Sequence, residues 1–240
     1  MFKVSLLLFI LISILAPEVS ELTQNDIKSD GEIAAYRVDI DEVDSLRFHT
    51  ALASRRQQDE ITKRITDFKM VEKELCGVVE FEKTSDTYQT IRKINFRNGK
   101  VYENENYAFD GISFVAYFPD EDVLLGECMH YSCHSYDLTT GKETDEVGNP
   151  GLAVSSSSGR FRLNKAFQGQ ECYHYFVQEK IDGRYRKVIE LGEEFERTMY
   201  RWLCTNEKAF WVDDCTLFLS VAVYEIEGNW REYFEVKISE

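Results

Sequence analysis

One cysteine and three histidines have the types and spacing from which a metal site could be built. Cys128, His130 and His134 are separated by even numbers of residues, so on a β-strand their side chains would share one face. His174 could join them if its strand lay alongside, and Zn²⁺ accepts thiolate and imidazole ligands. On an extended strand, however, His130 and His134 would be about 13 Å apart, which is too far for one ion. The sequence therefore predicts ordinary strand histidines and no metal site.

The cysteines predict disulfide bonds. They are Cys76, Cys128, Cys133, Cys172, Cys204 and Cys215. Their even number permits complete pairing, although sequence alone does not choose among the many pairings that six cysteines allow. Each bond would stabilise the fold by about 2–4 kcal/mol.

The spacing of the cysteines argues against one pairing and favours another. Residues 123–136 have the composition of a single strand, on which Cys128 and Cys133 would lie about 16 Å apart and on opposite faces. A disulfide needs Cα atoms within about 7 Å of each other, so we expect each of these two cysteines to pair elsewhere. Cys204 and Cys215 bracket a ten-residue loop and are the pair that we expect first.

No motif in the chain specifies a reaction. The serine tract at 155–158 lacks the preceding glycine of a Gly-x-Ser-x-Gly nucleophile elbow. A cysteine nucleophile needs a free thiol, which complete pairing would remove. Asp39 and Asp41 resemble the start of a calcium loop, but Thr50 stands where the twelfth position of that loop requires Glu. We therefore predict no catalytic, cofactor-binding or metal-binding residues, and a hydrolase with a scattered site remains an alternative.

The first residues predict the destination of the chain. Lys3 precedes an apolar run over residues 4–16 that is interrupted only by two serines, and Pro17 begins a polar segment. This is the layout of a secretory signal peptide, because a membrane-spanning helix would need about 20 apolar residues. We predict a signal peptide at residues 1–20, a secreted, extracellular protein and no stable membrane anchor, with a retained anchor as the alternative. An oxidising compartment would support the assignment of the cysteines to disulfides.

Composition predicts a folded and strongly acidic chain. The formal net charge is −15, and aromatic residues make up 13% of the sequence. Aromatic side chains supply the apolar burial that disordered chains lack. Because negative charge repels phosphate backbones, we predict no nucleic-acid partner, whereas a cationic partner is compatible with this charge.

Hydrophobic periodicity predicts one helix followed by a series of strands. Ile61, Ile65 and Phe68 recur at helical spacing, which predicts an amphipathic helix over residues 57–75. The period then changes to two, which predicts about ten mostly antiparallel strands. These strands cover residues 78–82, 88–96, 101–109, 112–118, 123–136, 161–167, 172–180, 185–191, 216–225 and 230–238. The predicted fold class is therefore α+β and mostly β, with an N-terminal amphipathic helix packed on disulfide-stapled antiparallel sheets.

Loops and turns complete the predicted organisation. Asn98-Gly99 and Asp182-Gly183 predict hairpin turns, and residues 193–204 favour a short helix. Residues 21–56 are polar and are expected to form an N-terminal region that is extended or loosely helical. We predict a single domain over residues 57–240, in which the loop at 143–158 is a candidate boundary between sub-units.

Aromatic residues crowd the C-terminal third and suggest a function. On period-two strands, some of them would face outward if the others face a core. Because exposed tyrosine and tryptophan are enriched at protein interfaces, we predict a secreted, non-enzymatic interaction or structural module that binds an extracellular protein through an aromatic-bearing sheet face. The alternative is a β-barrel-type carrier of a small apolar ligand.

Overall fold

Antiparallel β-sheets dominate the structure, which is a computed structural model. It describes residues 36–55, 62–83, 89–104, 111–128, 133–169, 172–225 and 228–240, and all of them belong to one compact unit. The predicted signal peptide at residues 1–20 lies outside these ranges. The mostly β fold with antiparallel pairing is confirmed.

The described ranges contain a long series of strands, numbered in chain order. They are β1 (Arg37–Val43), β2 (Val79–Lys83), β3 (Gln89–Asn95), β4 (Val101–Glu103), β5 (Ser113–Phe118), β6 (Val123–Glu127), β7 (Cys133–Asp137), β8 (Val154–Ser155), β9 (Phe161–Gly169), β10 (Cys172–Ile181), β11 (Arg184–Ile189), β12 (Lys208–Trp211), β13 (Thr216–Glu225) and β14 (Gly228–Ser239). The helices are α1 (Ser45–Ser54), α2 (Phe68–Glu74), α3 (Thr144–Val147) and α4 (Leu191–Met199), with a 3-10 turn at Pro150–Leu152. Among the described helices, none has both the length and the apolar character needed to cross a membrane.

The described strands form three sheets. The terminal sheet has the order β1-β14-β13-β12 and joins the two ends of the described chain. The central sheet has the order β11-β10-β9-β8. The hairpin sheet has the order β2-β3-β5-β6-β7, and β4 pairs with β3 at the predicted Asn98-Gly99 turn, where Gly99 has a φ of 87°.

The main core lies between the terminal and central sheets. Leu163 and Val177 of the central sheet belong to the same buried cluster as Leu217, Leu219 and Val236 of the terminal sheet. All five side chains are at most 3% exposed. Side chains alternate along β9 and β10, so the residues between these apolar positions face the opposite side of the central sheet.

The helix predicted over 57–75 is wrong over residues 62–67. Residues 57–61 lie outside the described ranges, and residues 62–67 are not helical. Ile65 instead forms an antiparallel bridge with Tyr117 of β5, with backbone N···O distances of 2.8 and 2.9 Å. The side chain of Asp67 then accepts a hydrogen bond from the Met70 backbone N–H and caps a shorter helix, α2. Val71 and Leu75 face the core of the hairpin sheet, as their spacing predicts.

The predicted single strand over 123–136 is a hairpin. β6 and β7 pair antiparallel, with Leu124 opposite Tyr136 and Glu127 opposite Cys133. A single strand of this length would extend about 45 Å, whereas the reversal buries Leu124 and Tyr136 in one core. The distance argument against a Cys128–Cys133 pair therefore no longer applies.

The region before the predicted helix is more ordered than its polarity suggests. Residues 36–55 form β1 and α1, where Asp44 accepts a hydrogen bond from the Arg47 backbone N–H and so begins the helix. Val38 and Ile40 alternate into the main core, and Phe48 packs against two phenylalanine rings of the terminal sheet. The burial of these three apolar residues stabilises β1 and α1 in spite of the charged residues around them. Apolar burial decides which face of each element is turned inward.

The C-terminal predictions are closer to the structure. The short helix predicted within 193–204 is confirmed as α4, which begins two residues earlier, at Leu191. The turn at Asp182-Gly183 joins β10 to β11 as predicted, with positive φ at both residues. The final hairpin pairs β13 with β14.

Candidate functional site

One disulfide organises the surface next to α4. It joins Cys172, at the start of β10, to Cys204, with a Cα–Cα distance of 4.8 Å. The Tyr173 backbone N–H donates to the Cys204 carbonyl at 2.9 Å, and the Asn206 backbone N–H donates to the Tyr175 hydroxyl at 3.0 Å. The disulfide and these hydrogen bonds fix the segment after α4 along the start of β10.

The predicted Cys204–Cys215 pair is therefore wrong. Cys204 is held beside β10, whereas Cys215 precedes β13 of the terminal sheet. Cys76 and Cys215 carry exposed thiols, so the structure does not contain the disulfides predicted for them. Partial desolvation and the neighbouring Asp213 raise the pKa of Cys215, which makes its thiol less reactive.

The disulfides predicted for Cys128 and Cys133 stay predictions. Cys128 is half-buried just beyond the end of β6. Cys133 lies on β7, and its side chain is outside the described part of the chain. The hairpin brings the two backbone segments side by side.

The histidines considered as metal ligands do not converge. His134 lies on β7 of the hairpin sheet, His174 lies on β10 of the central sheet, and His130 is outside the described residues. His174 Nε2 is instead 2.5 Å from a carboxylate oxygen of Glu190. Within the ranges described, no group of three or more His, Cys, Asp or Glu side chains is arranged to hold a metal ion.

Three large aromatic side chains are exposed on the segment after α4 and on β14, and we call Tyr200, Trp202 and Trp230 the aromatic patch. They are 91%, 70% and 43% exposed. Tyr200 ends α4 in the left-handed conformation, with a φ of 53°. Arg201 forms an ion pair with Glu232 of β14, and Trp230 Nε1 lies 3.5 Å from the other carboxylate oxygen of Glu232. Glu232 thus connects the segment after α4 to the strand that carries Trp230.

The aromatic patch is unusual because the aromatic-rich sheets bury most of their rings. Tyr175, Phe176, Phe210, Trp211 and Phe234 are all at most 5% exposed. The predicted aromatic-bearing sheet face is therefore mainly core, and two of the three patch residues lie after a helix. Sequence periodicity does not separate the buried rings from the exposed rings of the aromatic patch, since both occur among alternating apolar residues.

A cleft lies at one end of the main core, and we call it the lysine cleft. It has a volume of about 270 Å³, and its lining includes Leu152, Val154, Lys165, Lys208 and Ala209. Lys165 follows Phe161 and Leu163 at period two on β9, so it lies on the side of the central sheet that faces the core.

The ammonium group of Lys165 lies against aromatic rings. Its Nζ is 4.1 Å from the ring centre of Tyr173 and 5.9 Å from that of Tyr175. Burial lowers the pKa of Lys165 from its ordinary value of 10.5. The sequence signal for this site is a lysine in register with core residues, and sequence reasoning overlooked it.

A buried polar clamp fills the opposite face of the central sheet. Arg162 is 3% exposed and donates two hydrogen bonds of 2.7 Å to the carboxylate of Glu121, in the turn between β5 and β6. Its Nε donates to Gln178 at 2.7 Å, and its guanidinium lies 3.7 Å from the ring centre of Tyr185. A second cleft, of about 250 Å³, borders this ion pair. The charges of the clamp are already paired, so it does not offer a free site. It instead joins the hairpin sheet to the central sheet.

A second buried network surrounds Asp122 in the same turn. Its carboxylate accepts two hydrogen bonds from Arg97, at 2.6 and 3.0 Å, and one each from Tyr117 and Thr139. Desolvation by burial would raise the pKa of Asp122, but these hydrogen bonds outweigh it, so the pKa lies below the ordinary value of 3.8. Burial and the neighbouring carboxylate raise the pKa of Tyr117 to about 12.

The Asp122→Asn variant is expected to lose about 1–3 kcal/mol of unfolding free energy at pH 7. A carboxyl group whose pKa is lowered by folding stabilises the protein above its unfolded-state pKa, and that contribution is lost as the pH falls through the folded-state pKa. The difference between wild type and variant should therefore be largest above about pH 5 and shrink below about pH 4. Urea unfolding across this range measures it, and a difference that is independent of pH would contradict the assignment.

Comparison of the chain with family models, with curated proteins and with solved structures gives no match at a significant level.

Proposed function

We propose that this chain is a secreted, non-enzymatic protein that binds an extracellular protein partner through the aromatic patch. The observation that carries the proposal is the exposure of Tyr200, Trp202 and Trp230 beside Arg201. Tryptophan, tyrosine and arginine are the residues most enriched among those that dominate binding energy at protein interfaces. Exposing such large rings to water is unfavourable unless a partner covers them.

The construction around the aromatic patch supports binding with a low entropic cost. The Cys172–Cys204 disulfide anchors one end of the segment that carries Tyr200 and Trp202, and α4 anchors the other. Phe195 of α4 packs edge-to-face against Phe234 in the main core, with ring centres 5.1 Å apart. Because the segment is already fixed, a partner would not have to order it on binding.

The charge of the protein indicates the kind of partner. The chain carries a net charge of −15. Tryptophan and tyrosine faces attract the cations of lysine and arginine. We therefore propose a basic extracellular protein, whose arrival the negative field would accelerate.

Secretion rests on the predicted signal peptide at residues 1–20. The Cys172–Cys204 disulfide is compatible with it, because disulfides persist in oxidising compartments. An enclosed chamber for an apolar ligand has less support, since apolar side chains of both sheets fill the main core.

Replacing both Trp202 and Trp230 by alanine is expected to weaken partner binding at least about 30-fold, which is the effect of losing about 2 kcal/mol, the lower bound for a single residue of this kind. The partner is first identified by cross-linking the mature protein in extracellular fluid, and its affinity is then measured by biolayer interferometry. The matched control replaces Met70 of α2 and Val101 of β4, which are 59% and 57% exposed, by alanine. This control should keep the wild-type affinity.

Two results would reject the proposal. One is a partner that binds the tryptophan variant and wild type with equal affinity while both remain folded. The other is that every protein that wild type retains is also retained by the tryptophan variant. A stronger loss in the Met70 and Val101 control would move the interface to the hairpin sheet.

A further inference from the structure

Lys165 places a positive charge in the lysine cleft that no ion pair within the described ranges compensates. Among the residues that the structure describes, no carboxylate forms an ion pair with Lys165, and burial alone accounts for the change in its pKa. Its contacts are the faces of Tyr173 and Tyr175. Partial burial of a charge is costly unless an opposite charge compensates it. The structure therefore has a place at Lys165 that an anion would fill favourably.

The charges around the lysine cleft favour an anion in spite of the acidic chain. Lys208 also lines the cleft and adds a second ammonium group. Glu207 lines it as well, but its carboxylate is paired with Arg231 of β14. In a protein with a net charge of −15, a cleft with two lysines and one neutralised carboxylate differs in sign from the average surface. The negative surroundings would disfavour a multiply charged anion, so a single negative charge fits best.

The remaining walls of the lysine cleft are apolar. Leu152, Val154, Leu163 and Ala209 line it. Leu152 is 46% exposed, whereas Leu163 is 3% exposed and marks the floor, where the packed core begins. Ligand sites typically combine such apolar walls with a small number of charged or polar groups that fix orientation. The volume, about 270 Å³, lies just below the usual range of ligand pockets, which begins at about 300 Å³, and restricts the cleft to a small molecule.

We propose that the lysine cleft binds a small amphiphilic carboxylate. Its carboxylate group would pair with the ammonium group of Lys165, with Lys208 nearby, and its apolar part would cover Leu152, Val154 and Ala209. The ligand site is independent of the aromatic patch, so either can fail without the other. Binding is non-covalent, and the carboxylate raises the pKa of Lys165 because it stabilises the ammonium form.

Octanoate is the probe for the test, and 1-octanol is its uncharged counterpart. Isothermal titration of the mature, disulfide-intact protein at pH 7 is expected to show one octanoate site and binding of 1-octanol at least about tenfold weaker, which corresponds to about 1.4 kcal/mol. Amide NMR signals of Val154 and Ala209 should shift with octanoate. Affinity should fall as the pH rises through the pKa of Lys165, because deprotonation removes the positive charge.

The Lys165→Met variant separates the charge from the shape of the cleft. Methionine is close to the lysine stem in length and needs no counter-charge, so this variant is expected to fold at least as stably as wild type. Its octanoate affinity should fall at least about tenfold. Lys69→Met, on the exposed side of α2, is the matched control and should bind octanoate like wild type.

Three outcomes would overturn the proposal. They are equal octanoate affinity in Lys165→Met and wild type, equal affinity for octanoate and 1-octanol, and the absence of shifts at Val154 and Ala209 with both octanoate and 1-naphthoate. The last outcome is tested with an aliphatic and an aromatic carboxylate of the same charge. A negative result with both therefore rejects the site itself and not only one probe.

Discussion

Glu121→Ala is expected to lower the free energy of unfolding by about 3–5 kcal/mol, because it leaves the guanidinium of Arg162 without its counter-charge. The Arg162 side chain is 4% exposed, and the Glu121 side chain is 17% exposed. Both hydrogen bonds of the pair measure 2.7 Å. After the substitution only Gln178 would still accept a hydrogen bond from Arg162, and one neutral acceptor does not replace a carboxylate.

Urea unfolding followed by tryptophan fluorescence measures this loss. The control is Asp39→Ala, which breaks the pair between Arg37 and Asp39, whose side chains are 76% and 49% exposed. This change should have little effect, because exposed ion pairs contribute little to stability. A loss at Glu121 as small as that of the control would show that water reaches Arg162, and the clamp would then not hold the two sheets together.

Replacing both Glu121 and Arg162 is a second test of the same ion pair. The combination of Glu121→Leu with Arg162→Met removes both charges, so no buried charge remains uncompensated. Buried ion pairs exchanged for apolar residues of similar size are often neutral or stabilising. The double variant should therefore recover most of the stability that Glu121→Ala loses, and a double variant that is no more stable would contradict the electrostatic explanation.

Strand periodicity predicts much of the fold, because buried and exposed side chains alternate along a strand and the apolar residues of the sequence alternate in the same way. Phe161 and Leu163 alternate toward the main core, and Asn98-Gly99 supplies the positive φ that a tight hairpin needs. The same periodicity also identifies Lys165 as a residue that faces the core. A lysine in that register is easily overlooked, because lysine is ordinarily a surface residue.

Other features depend on contacts between segments that are distant in sequence. The clamp joins Glu121 to Arg162, which are 41 residues apart, and nothing near either residue indicates the other. The helix predicted through Ile65 is shortened because Tyr117 offers that segment a strand partner. The pairing of Cys172 with Cys204 likewise follows from where α4 packs, since spacing alone favours a shorter loop.

Removing the Cys172–Cys204 disulfide is expected to lower the free energy of unfolding by about 3–4 kcal/mol. The bond closes a loop with a sequence separation of 32 residues, and the entropy that such a closure removes from the unfolded chain gives a value of this size. The Cys172→Ser and Cys204→Ser double variant tests it by urea unfolding. The control is the Cys76→Ser and Cys215→Ser double variant, which removes two exposed thiols and should leave stability unchanged.

The disulfide should affect function as well as stability, because it fixes the segment between the two candidate sites. Trp202 lies just before Cys204, and Lys208 and Ala209 of the lysine cleft lie just after it. In the serine variant, studied at a urea concentration at which it remains folded, we expect weaker binding at both sites. Tyr173 and Asn206 would still donate hydrogen bonds across the segment, so the losses should be smaller than those of the Trp202 and Lys165 variants. If both affinities are unchanged while stability falls as expected, the hydrogen bonds alone position the segment, and the disulfide acts only on the unfolded chain.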